Sequence, residues 1–381
     1  LIDEIGSDYL ISRLEKEKRN IPEYLKVAKG KKYYNGLDVL TVNGDIRSIK
    51  RPEGTLRFND MKKTLIPEGS NHDASWYNID GLALVEFHSK ANALGQESML
   101  ILEEAISAVT RFEMKGIIVH NDSQHFSCGV NLNSVRFFYN NEDWDGLDRF
   151  LKHFQQTVHK LAVAKFPTIV APVGLSLGGG FEVVLHAKEV ICHANSNMGL
   201  VESGVGLIPA GGGCKETLYR WIENKNGDVK SAAWEAFYSL GYGKTASSPI
   251  NAIELAMLRD NDTYENNRDR ILSSSIKSLS TQKKQKPFDR RPIKMTGKDV
   301  FDDMVNWAKD MEVKGKLCPH DVIVSTEIAR ILTGGDVEPG TLWTEQDLYD
   351  AERKAFLKLV KTKSTQARIN SLLDDGKTLR N

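Results

Sequence analysis

The sequence predicts an α/β fold, on three observations. Short apolar stretches alternate with longer stretches of helical periodicity between about residues 75 and 194. Residues Ile117–Val119 are all β-branched and too few for a helix, so they predict a strand that is buried on both faces. A hydrophobic share of 40% in 381 residues is enough to bury at least one large core. Alternating strands and helices of this kind favour a sheet that is covered by helices.

The predicted elements follow one another along the chain. Residues 1–35 alternate apolar and charged positions at helical spacing, which predicts two short amphipathic helices. Residues 36–74 lack sustained periodicity and predict a linker that carries a strand or two. A strand, a tight turn and a second strand then begin near Ser75. The next elements are predicted as helix 95–113, strand 116–120, helix 144–164, strand 168–173, helix 178–188 and strand 189–194.

The last part of the chain is predicted to be helical. After about residue 217 the helical pattern is interrupted only at Gly241–Gly243, Lys286–Pro287 and Thr333–Gly335. We therefore divide the chain into residues 1–35, 36–74, 75–282 and 283–381, the last being a C-terminal helical appendage.

Composition argues against several classes of function. Lys and Arg total 51 and Asp and Glu total 51, so no net charge draws the chain to nucleic acid or to an anionic membrane. No stretch approaches the roughly 20 apolar residues of a membrane span, and no signal-peptide pattern is seen, so we expect a cytoplasmic protein. The four cysteines lack the spacing of a zinc site or a disulfide framework. We expect no metal and reduced thiols that lie mostly in the core, Cys128 among them.

Two glycine-containing loops are the strongest indication of a binding site. The stretch Val173–Glu182 leaves a buried strand and enters a helix through Gly178–Gly180. Three consecutive glycines are costly in backbone entropy, which indicates that something approaches the backbone closely, although a tight strand-to-helix crossover is the structural alternative. A second loop, His125–Leu132, can present another amide at the same point. Two such amides would stabilise an enolate or a tetrahedral oxyanion, each by about 3 kcal/mol.

One alternative is a serine hydrolase that acts on acyl thioesters. The residues Gly174–Gly178 match the G-x-S-x-G nucleophile elbow, with Ser176 as the nucleophile. Such a hydrolase needs an acid and then a histidine downstream, for which Asp310 and His320 are available. The oxyanion loop that usually precedes the elbow is missing from the sequence.

Four segments, taken in order, resemble the crotonase or enoyl-CoA hydratase/isomerase superfamily. They are Phe87–Leu94, Phe126–Leu132, Leu177–Glu182, and Met198–Glu202 with Gly206–Gly213. The resemblance covers about residues 76–282 and implies a crotonase-like spiral of ββα units.

The resemblance also assigns roles to individual residues. The backbone amides of Val130 and Gly179 would form the oxyanion hole, and Glu182 and Glu202 would be the catalytic carboxyls. Further substrate-binding positions are Cys128, Gly129, Gly178 and Lys90.

The activity that the resemblance implies is the addition of water to a trans-2-enoyl-CoA, which gives a 3-hydroxyacyl-CoA in fatty-acid β-oxidation. Glu182 would deprotonate the water and Glu202 would deliver the α-proton, although the two roles could be shared. Having both glutamates favours a hydratase over an enoyl-CoA isomerase, because isomerases of this superfamily often use one. A non-catalytic acyl-CoA-binding module is the remaining alternative.

The flanks of the chain resemble bacterial bifunctional proteins that place a 3-hydroxyacyl-CoA dehydrogenase before a crotonase domain. Residues 1–35 and the ending Gly376–Asn381 carry this resemblance. It implies a dehydrogenase domain before Leu1, with NAD as its cofactor, and no cofactor in this chain. Members of the superfamily are often trimers or hexamers, so the resemblance makes a homo-oligomer one expectation, the alternative being that the C-terminal helices replace a subunit contact.

Overall fold

The computed structural model describes residues 2–281, 288 and 290–381. Two compact units divide the chain, one ending at Leu56 and the other beginning at Arg57. The predicted break at Lys286–Pro287 and the predicted boundary between residues 282 and 283 lie outside the described residues. The other predicted domain boundaries stay predictions.

Among residues 2–56, three helices and a small antiparallel sheet form the first unit. The helices are α1 (Ile2–Ile5), α2 (Ser7–Lys16) and α3 (Glu23–Val27), and the strands are β1 (Tyr34–Asn35), β2 (Asp38–Leu40) and β3 (Ile46–Ser48). The sequence pattern predicts only two helices here. The first predicted helix is divided into α1 and α2 at Gly6. The φ of Gly6 is 88°, a value that glycine adopts easily and other residues do not.

The described strands of the second unit form three sheets. In chain order they are β4 (Gly69–Ser70), β5 (Ala74–Ile79), β6 (Leu82–Phe87), β7 (Ile117–His120), β8 (Thr168–Ala171), β9 (Leu175–Leu177), β10 (Glu189–His193), β11 (Asn197–Gly199), β12 (Thr245–Ala246), β13 (Thr263–Glu265), β14 (Ile293–Lys294) and β15 (Leu342–Trp343). The largest sheet has the order β13-β10-β8-β7-β6-β5-β4 and the second β12-β11-β9, while β14 pairs with β15.

The helices of the second unit are of very different lengths. In chain order they are α4 (Phe58–Met61), α5 (Gln96–Arg111), α6 (Leu132–Asn140), α7 (Trp144–Val163), α8 (Gly179–Leu185), α9 (Gly213–Asn224), α10 (Val229–Gly241), α11 (Pro249–Glu254), α12 (Ile271–Thr281), α13 (Lys298–Val313), α14 (Pro319–Thr333), α15 (Glu345–Val360) and α16 (Lys363–Asp375). None of the described helices combines the length and the apolar character needed to cross a bilayer.

The central sheet confirms the predicted α/β fold class. Strands β6, β7, β8, β10 and β13 pair in parallel, and β5 joins β6 through an antiparallel hairpin. The hairpin turns at Asp80 and Gly81, which both have positive φ, as a two-residue turn of this kind requires. Residues Ile117–Val119 of β7 have no exposed surface, so the prediction of a strand buried on both faces is also confirmed.

The small sheet brings two distant parts of the sequence together. Strand β9 pairs in parallel with β11, and Leu177 lies opposite Gly199. The carboxyl ends of parallel strands meet at the same edge of a sheet. The glycine triplet that follows Leu177 therefore lies beside the turn at Glu202, which follows Gly199.

The C-terminal helices belong to the same compact unit as the sheets. Helix α14 packs on α10, α15 packs on α7 and α9, and α16 packs on α6. In α15, Leu348, Phe356 and Leu359 are buried on one face at helical spacing and join the main hydrophobic core. The helices that were predicted as an appendage thus also supply part of the hydrophobic core.

Candidate active site

Glu182 lies on the first turn of α8 and is only 2% exposed. Its Oε1 atom accepts two backbone hydrogen bonds, from Gly211 at 2.7 Å and from Gly213 at 2.8 Å. A Cβ atom on Gly211 would lie 2.6 Å from Glu182 Oε2, and one on Gly213 would lie 2.8 Å from Oε1. The Glu182 carboxylate is therefore hydrogen-bonded by a loop in which Gly211 and Gly213 leave no room for a side chain.

Glu202 begins the 3-10 turn Glu202–Val205 and faces the glycine triplet. Its Oε2 atom is buried and has no hydrogen-bond partner among the described residues. A Cβ atom on Gly178 would lie 2.7 Å from Oε1 of the same carboxyl. The absence of a side chain at Gly178 thus opens the space that the Glu202 carboxyl occupies.

The two carboxyls have unusually high proton affinity. Burial raises the pKa of Glu182 to about 7, although its two amide hydrogen bonds act in the opposite direction. Burial, and after it the charge of the neighbouring Glu182, raise the pKa of Glu202 to about 8. The two groups titrate as a pair, and near neutral pH the proton of the pair is held preferentially by Glu202.

Among the residues that the structure describes, two backbone amides without a hydrogen-bond partner lie close to each other. The neighbours of Val130 in the chain are bonded to Leu94, through Gly129 O and Asn131 N at 2.8 Å each, so the N–H of Val130 faces the opposite side. Gly179 is the first residue of α8, where an amide has no partner within the helix. Across the described residues, no hydrogen bond is made by either amide.

Contact between the two loops keeps these amides together. A Cβ atom on Gly179 would lie 3.4 Å from the nitrogen of Val130 and 2.6 Å from its Cγ2 atom. Only glycine allows this approach, which accounts for the middle residue of the triplet. The pair of amides can bind one oxygen atom that carries negative charge.

An apolar cavity of about 120 Å³ contacts the carboxyls of Glu182 and Glu202, Val130, and Gly178, the residue before Gly179. The remaining walls include apolar side chains from four helices, namely Leu132 and Val135 of α6, Phe150, Leu151 and Phe154 of α7, Phe356 of α15 and Leu372 of α16. This volume holds several water molecules or a short apolar chain. A mostly apolar cavity with a few polar groups at one end is typical of a small-molecule site.

The central part of the chain, which contains both carboxyls and both amides of the site, resembles a known protein family. The model described as enoyl-CoA hydratase/isomerase matches residues 78–227. Residues 78–227 form a domain of the enoyl-CoA hydratase/isomerase family.

Relatives of the whole chain are longer than the chain itself. A protein named as a probable 3-hydroxyacyl-CoA dehydrogenase of Bacillus subtilis is 31% identical over 388 residues, which cover 100% of this chain and 49% of that protein. A protein named as a fatty acid oxidation complex trifunctional enzyme of Rickettsia felis is 25% identical over 353 residues, covering 93% of this chain and 44% of that protein. The chain spans about half the length of these curated relatives or less.

Solved structures share the fold of the enoyl-CoA hydratase/isomerase domain at low sequence identity. An enoyl-CoA hydratase from Rhodobacter sphaeroides has a TM-score of 0.59 at 13% identity, covering 81% of this chain and 92% of that chain. An enoyl-CoA hydratase from Bacillus halodurans has a TM-score of 0.52 at 16% identity, covering 78% of this chain and 99% of that chain. The crotonase-like fold expected from the sequence is therefore confirmed.

The other predicted substrate-binding residues of the hydratase/isomerase domain lie in two places. Cys128, Gly129 and Gly178 line the cavity. Lys90 is exposed in the 3-10 turn Lys90–Asn92 and does not line it, although the next residue in the chain is joined to the Cys128 loop by a 3.2 Å hydrogen bond. The structure thus brings three of the four residues to the cavity, and their roles stay predictions.

Not every thiol lies where the sequence predicts it. All four cysteines are free, and Cys192 and Cys214 are buried as expected. Cys128 is exposed, so its placement in the core was wrong. It belongs to a loop that bends around the cavity, where apolar neighbours in sequence do not imply burial. Within the described ranges, no group of three or more His, Cys, Asp or Glu residues could hold a metal ion.

The residues of the serine-hydrolase alternative are not assembled. Ser176 is fully buried in β9, and its hydroxyl has no hydrogen-bond partner among the described residues. His320 bonds to Thr365 at 2.7 Å, and Asp310 pairs with Lys314 on the exposed side of α13. The G-x-S-x-G match therefore reflects the close packing of the strand, and the geometry does not form a triad.

Several residues of the site were missed from the sequence. They include the amides of Gly211 and Gly213, the lining residues Phe356 and Leu372, and a third buried carboxyl, Glu352 of α15. One signal was available for Glu352, because it lies four residues from both Leu348 and Phe356 on the apolar face of its helix. A carboxyl at such a position is rarely without a partner.

Proposed function

We propose that the chain is an enoyl-CoA hydratase, a lyase that adds water to a trans-2-enoyl-CoA and forms a 3-hydroxyacyl-CoA in fatty-acid β-oxidation. The observation that supports this proposal is that two buried carboxyls and Val130 line one apolar cavity, with Gly179 packed against Val130 and both amides unbonded among the described residues. A hydratase needs a base for the water, an acid for the α-carbon, and donors for the enolate oxygen.

In the proposed reaction, the thioester oxygen accepts hydrogen bonds from the amides of Val130 and Gly179. Glu182 takes a proton from the water, whose oxygen forms a bond with the β-carbon. The electrons of the double bond move toward the thioester as an enolate, and the α-carbon then takes the proton of Glu202. The higher pKa of Glu202 supports this division of roles, because the acid must be protonated while the base is ionised.

The apolar side chains of the cavity suit the acyl chain of the substrate. Phe150, Phe154 and Phe356 lie among its walls, so the acyl chain would be removed from water there. Lys90 lies outside the cavity and carries an exposed ammonium group, which suits a phosphate of coenzyme A. We propose these contacts as the basis of acyl-CoA binding.

The direct test follows the loss of enoyl thioester absorbance when the protein is mixed with a trans-2-enoyl-CoA. Glu182→Gln and Glu202→Gln should each lower kcat by about 100- to 10,000-fold, because each removes a group that transfers a proton. Glu86→Gln is a matched control, since Glu86 is a buried glutamate of β6 that pairs with Lys62. If both glutamine variants of the cavity kept the wild-type rate, the proposed mechanism would be wrong.

Two other outcomes of the same assay are informative. Conversion of a trans-3-enoyl-CoA to the trans-2 isomer, without hydration, would identify an isomerase. Binding of an acyl-CoA in calorimetry without turnover of either substrate would identify a non-catalytic binding module.

The relatives motivate a wider proposal about the protein in which this chain works. We propose that it acts with a 3-hydroxyacyl-CoA dehydrogenase domain that uses NAD. The Bacillus subtilis relative named as such a dehydrogenase is matched by this chain over only 49% of the relative's own length. The 3-hydroxyacyl-CoA made by the hydratase would be the substrate of that dehydrogenase. We further propose a cytoplasmic location and assembly as a homo-oligomer. The chain itself is proposed to need no cofactor.

A further inference from the structure

The N-terminus of α9 is capped by carboxyls from two different helices. Glu182 of α8 accepts the amides of Gly211 and Gly213, as described above. Glu352 of α15 accepts the amide of Gly212 at its Oε2 atom and that of Lys215 at its Oε1 atom, both at 2.7 Å. The amides of Gly211, Gly212 and Gly213 are thus bonded in turn to Glu182, Glu352 and Glu182. A helix N-terminus exposes such unpaired amides and favours negative charge.

Packing does not explain why α15 carries a carboxyl at this position. Glu352 has no exposed surface and lies on the apolar face of its helix. Its pKa is raised well above the ordinary value, first by burial and then by the charge of Glu182. Lys215 donates its backbone amide to Glu352, but its side-chain Nζ bonds to Glu216 and Glu345 instead. Burying a carboxyl is unfavourable unless hydrogen bonds compensate for the lost water, and Glu352 receives such bonds from the amides of Gly212 and Lys215.

The loop held by Glu352 has little freedom to adopt another shape. Gly212 has a φ of 105°, and a Cβ atom there would lie 2.7 Å from the ring of His186 and 2.9 Å from that of Tyr349. The amide of Gly212 is fixed by Glu352, so the amides on either side of it are fixed as well. Those two amides both bind Oε1 of Glu182 and leave its Oε2 atom for the substrate side.

We propose that Glu352 is a positioning residue for Glu182, which it acts on through the loop Gly211–Gly213. The inference rests on the proposed function in one respect only, namely that Glu182 is the base of the reaction. Glu352 does not line the cavity, so it contributes through the geometry of the loop and not through contact with the substrate.

The test compares Glu352→Ala with Glu352→Gln. In Glu352→Ala the loop loses two acceptors, and we expect kcat to fall roughly 10- to 100-fold while KM changes less than about threefold. The pH–rate profile should also move, because the amide hydrogen bonds on Glu182 lower its pKa and a loosened loop weakens them. We expect the acid limb to shift upward by roughly 0.5–1 pH unit. Glu352→Gln keeps one acceptor oxygen at the same reach and should fall between wild type and alanine.

Two results would overturn the proposal. An acid limb that stays in place would mean that Glu352 has a structural role alone. An acid limb that moves downward in both variants would mean that its charge matters and its hydrogen bonds do not. Glu327→Gln is the matched control, since Glu327 is a buried glutamate of α14 whose 2.5 Å ion pair with Lys358 joins α14 to α15 away from the loop. Its profile should match that of the wild type.

Two measurements keep the inference independent of turnover. The Glu182 carboxyl carbon can be titrated by NMR, with Glu182→Gln to assign its signal, and its pKa should rise in Glu352→Gln. Hydrogen exchange at Gly211–Gly213 should become faster in the same variant, and unchanged exchange would contradict the proposal even if Glu352→Ala does not fold. A wild-type protein without hydratase turnover would disprove the proposed function and leave both measurements valid.

Discussion

The Glu202 carboxyl lies against the backbone of Gly178, so closely that a Cβ atom there would be 2.7 Å from Oε1. Because the carboxyl is the flexible end of its side chain, a larger residue at Gly178 would displace it and leave the core in place. Gly178 also has a φ of 50°, which glycine adopts easily and residues with a Cβ atom adopt with difficulty.

Gly178→Ala should therefore fold and lose activity. We expect kcat to fall roughly 100-fold, since a displaced acid no longer reaches the α-carbon. Gly204→Ala is the matched control, because Gly204 lies in the same turn as Glu202 and no atom would come within 4 Å of its added Cβ. Equal rates in the two variants would show that the contact between Gly178 and Glu202 does not matter.

The proton affinities of the two glutamates predict a narrow optimum of pH. The rate should rise as Glu182 becomes ionised at about pH 7, and fall as Glu202 loses its proton at about pH 8. The two limbs belong to the coupled pair and give macroscopic values. Measuring kcat from about pH 5 to 10 tests this, and a rate that is constant between about pH 6 and 9 would contradict it.

Replacing the proposed base should stabilise the protein. The pKa of Glu182 is about 7 in the folded state, above its ordinary value of 4.5. Stability from such a group is fully present below pH 4.5 and is lost as pH rises through 7. Glu182→Gln should thus raise the free energy of unfolding by about 1–3 kcal/mol at pH 8. Urea unfolding of the wild type and the variant at about pH 8 and at about pH 4 checks this. The gain in the free energy of unfolding should vanish near pH 4.

The amide pair can be tested through the contact between Gly179 and Val130. Gly179→Ala would place a methyl group 2.6 Å from Cγ2 of Val130 and push the two amides apart. We expect kcat to fall roughly 100- to 1,000-fold, as when an oxyanion donor is lost. Val130→Ala keeps its N–H and should stay near the wild-type rate. Because Val130→Ala also removes the clashing methyl group, the double variant should recover part of the loss. A double variant as slow as Gly179→Ala would contradict this account.

Ser176 should be dispensable for the reaction. Its buried hydroxyl has no partner among the described residues, so Ser176→Ala removes an unsatisfied group and fits the same space. We expect unchanged hydration, no release of free coenzyme A thiol, and equal or higher stability in urea. A loss of thiol release in this variant, relative to wild type, would instead revive the serine hydrolase.

Much of the fold was predictable because its signals are local. The β-branched residues Ile117–Val119 form the buried strand that they predict, and the turn at Asp80 and Gly81 forms the expected hairpin. The meeting of the Gly178 and Glu202 segments was also predictable, though only through resemblance. Its physical cause is the parallel pairing of β9 with β11, and no local pattern in either strand specifies that partner.

The contribution of the C-terminal helices was not predictable from local patterns. Phe356 and Leu372 look like ordinary core residues of amphipathic helices, and which surface they cover depends on how α15 and α16 pack. The interruption of the first helix at Gly6 was missed for a different reason. A single glycine is tolerated in many helices, so its positive φ could be known only from the structure.

The bond between Gly212 and Glu352 also has a consequence for the time at which the site forms. The two residues are 140 positions apart. At a synthesis rate of roughly 5–20 residues per second, about 7–28 s separate their addition to the growing chain. Once residue 227 has been added, and for the rest of that interval, a nascent chain contains all of residues 78–227 and lacks the carboxyl that caps α9 from α15. On the ribosome, the loop that positions Glu182 would therefore be fixed only after α15 has been synthesised.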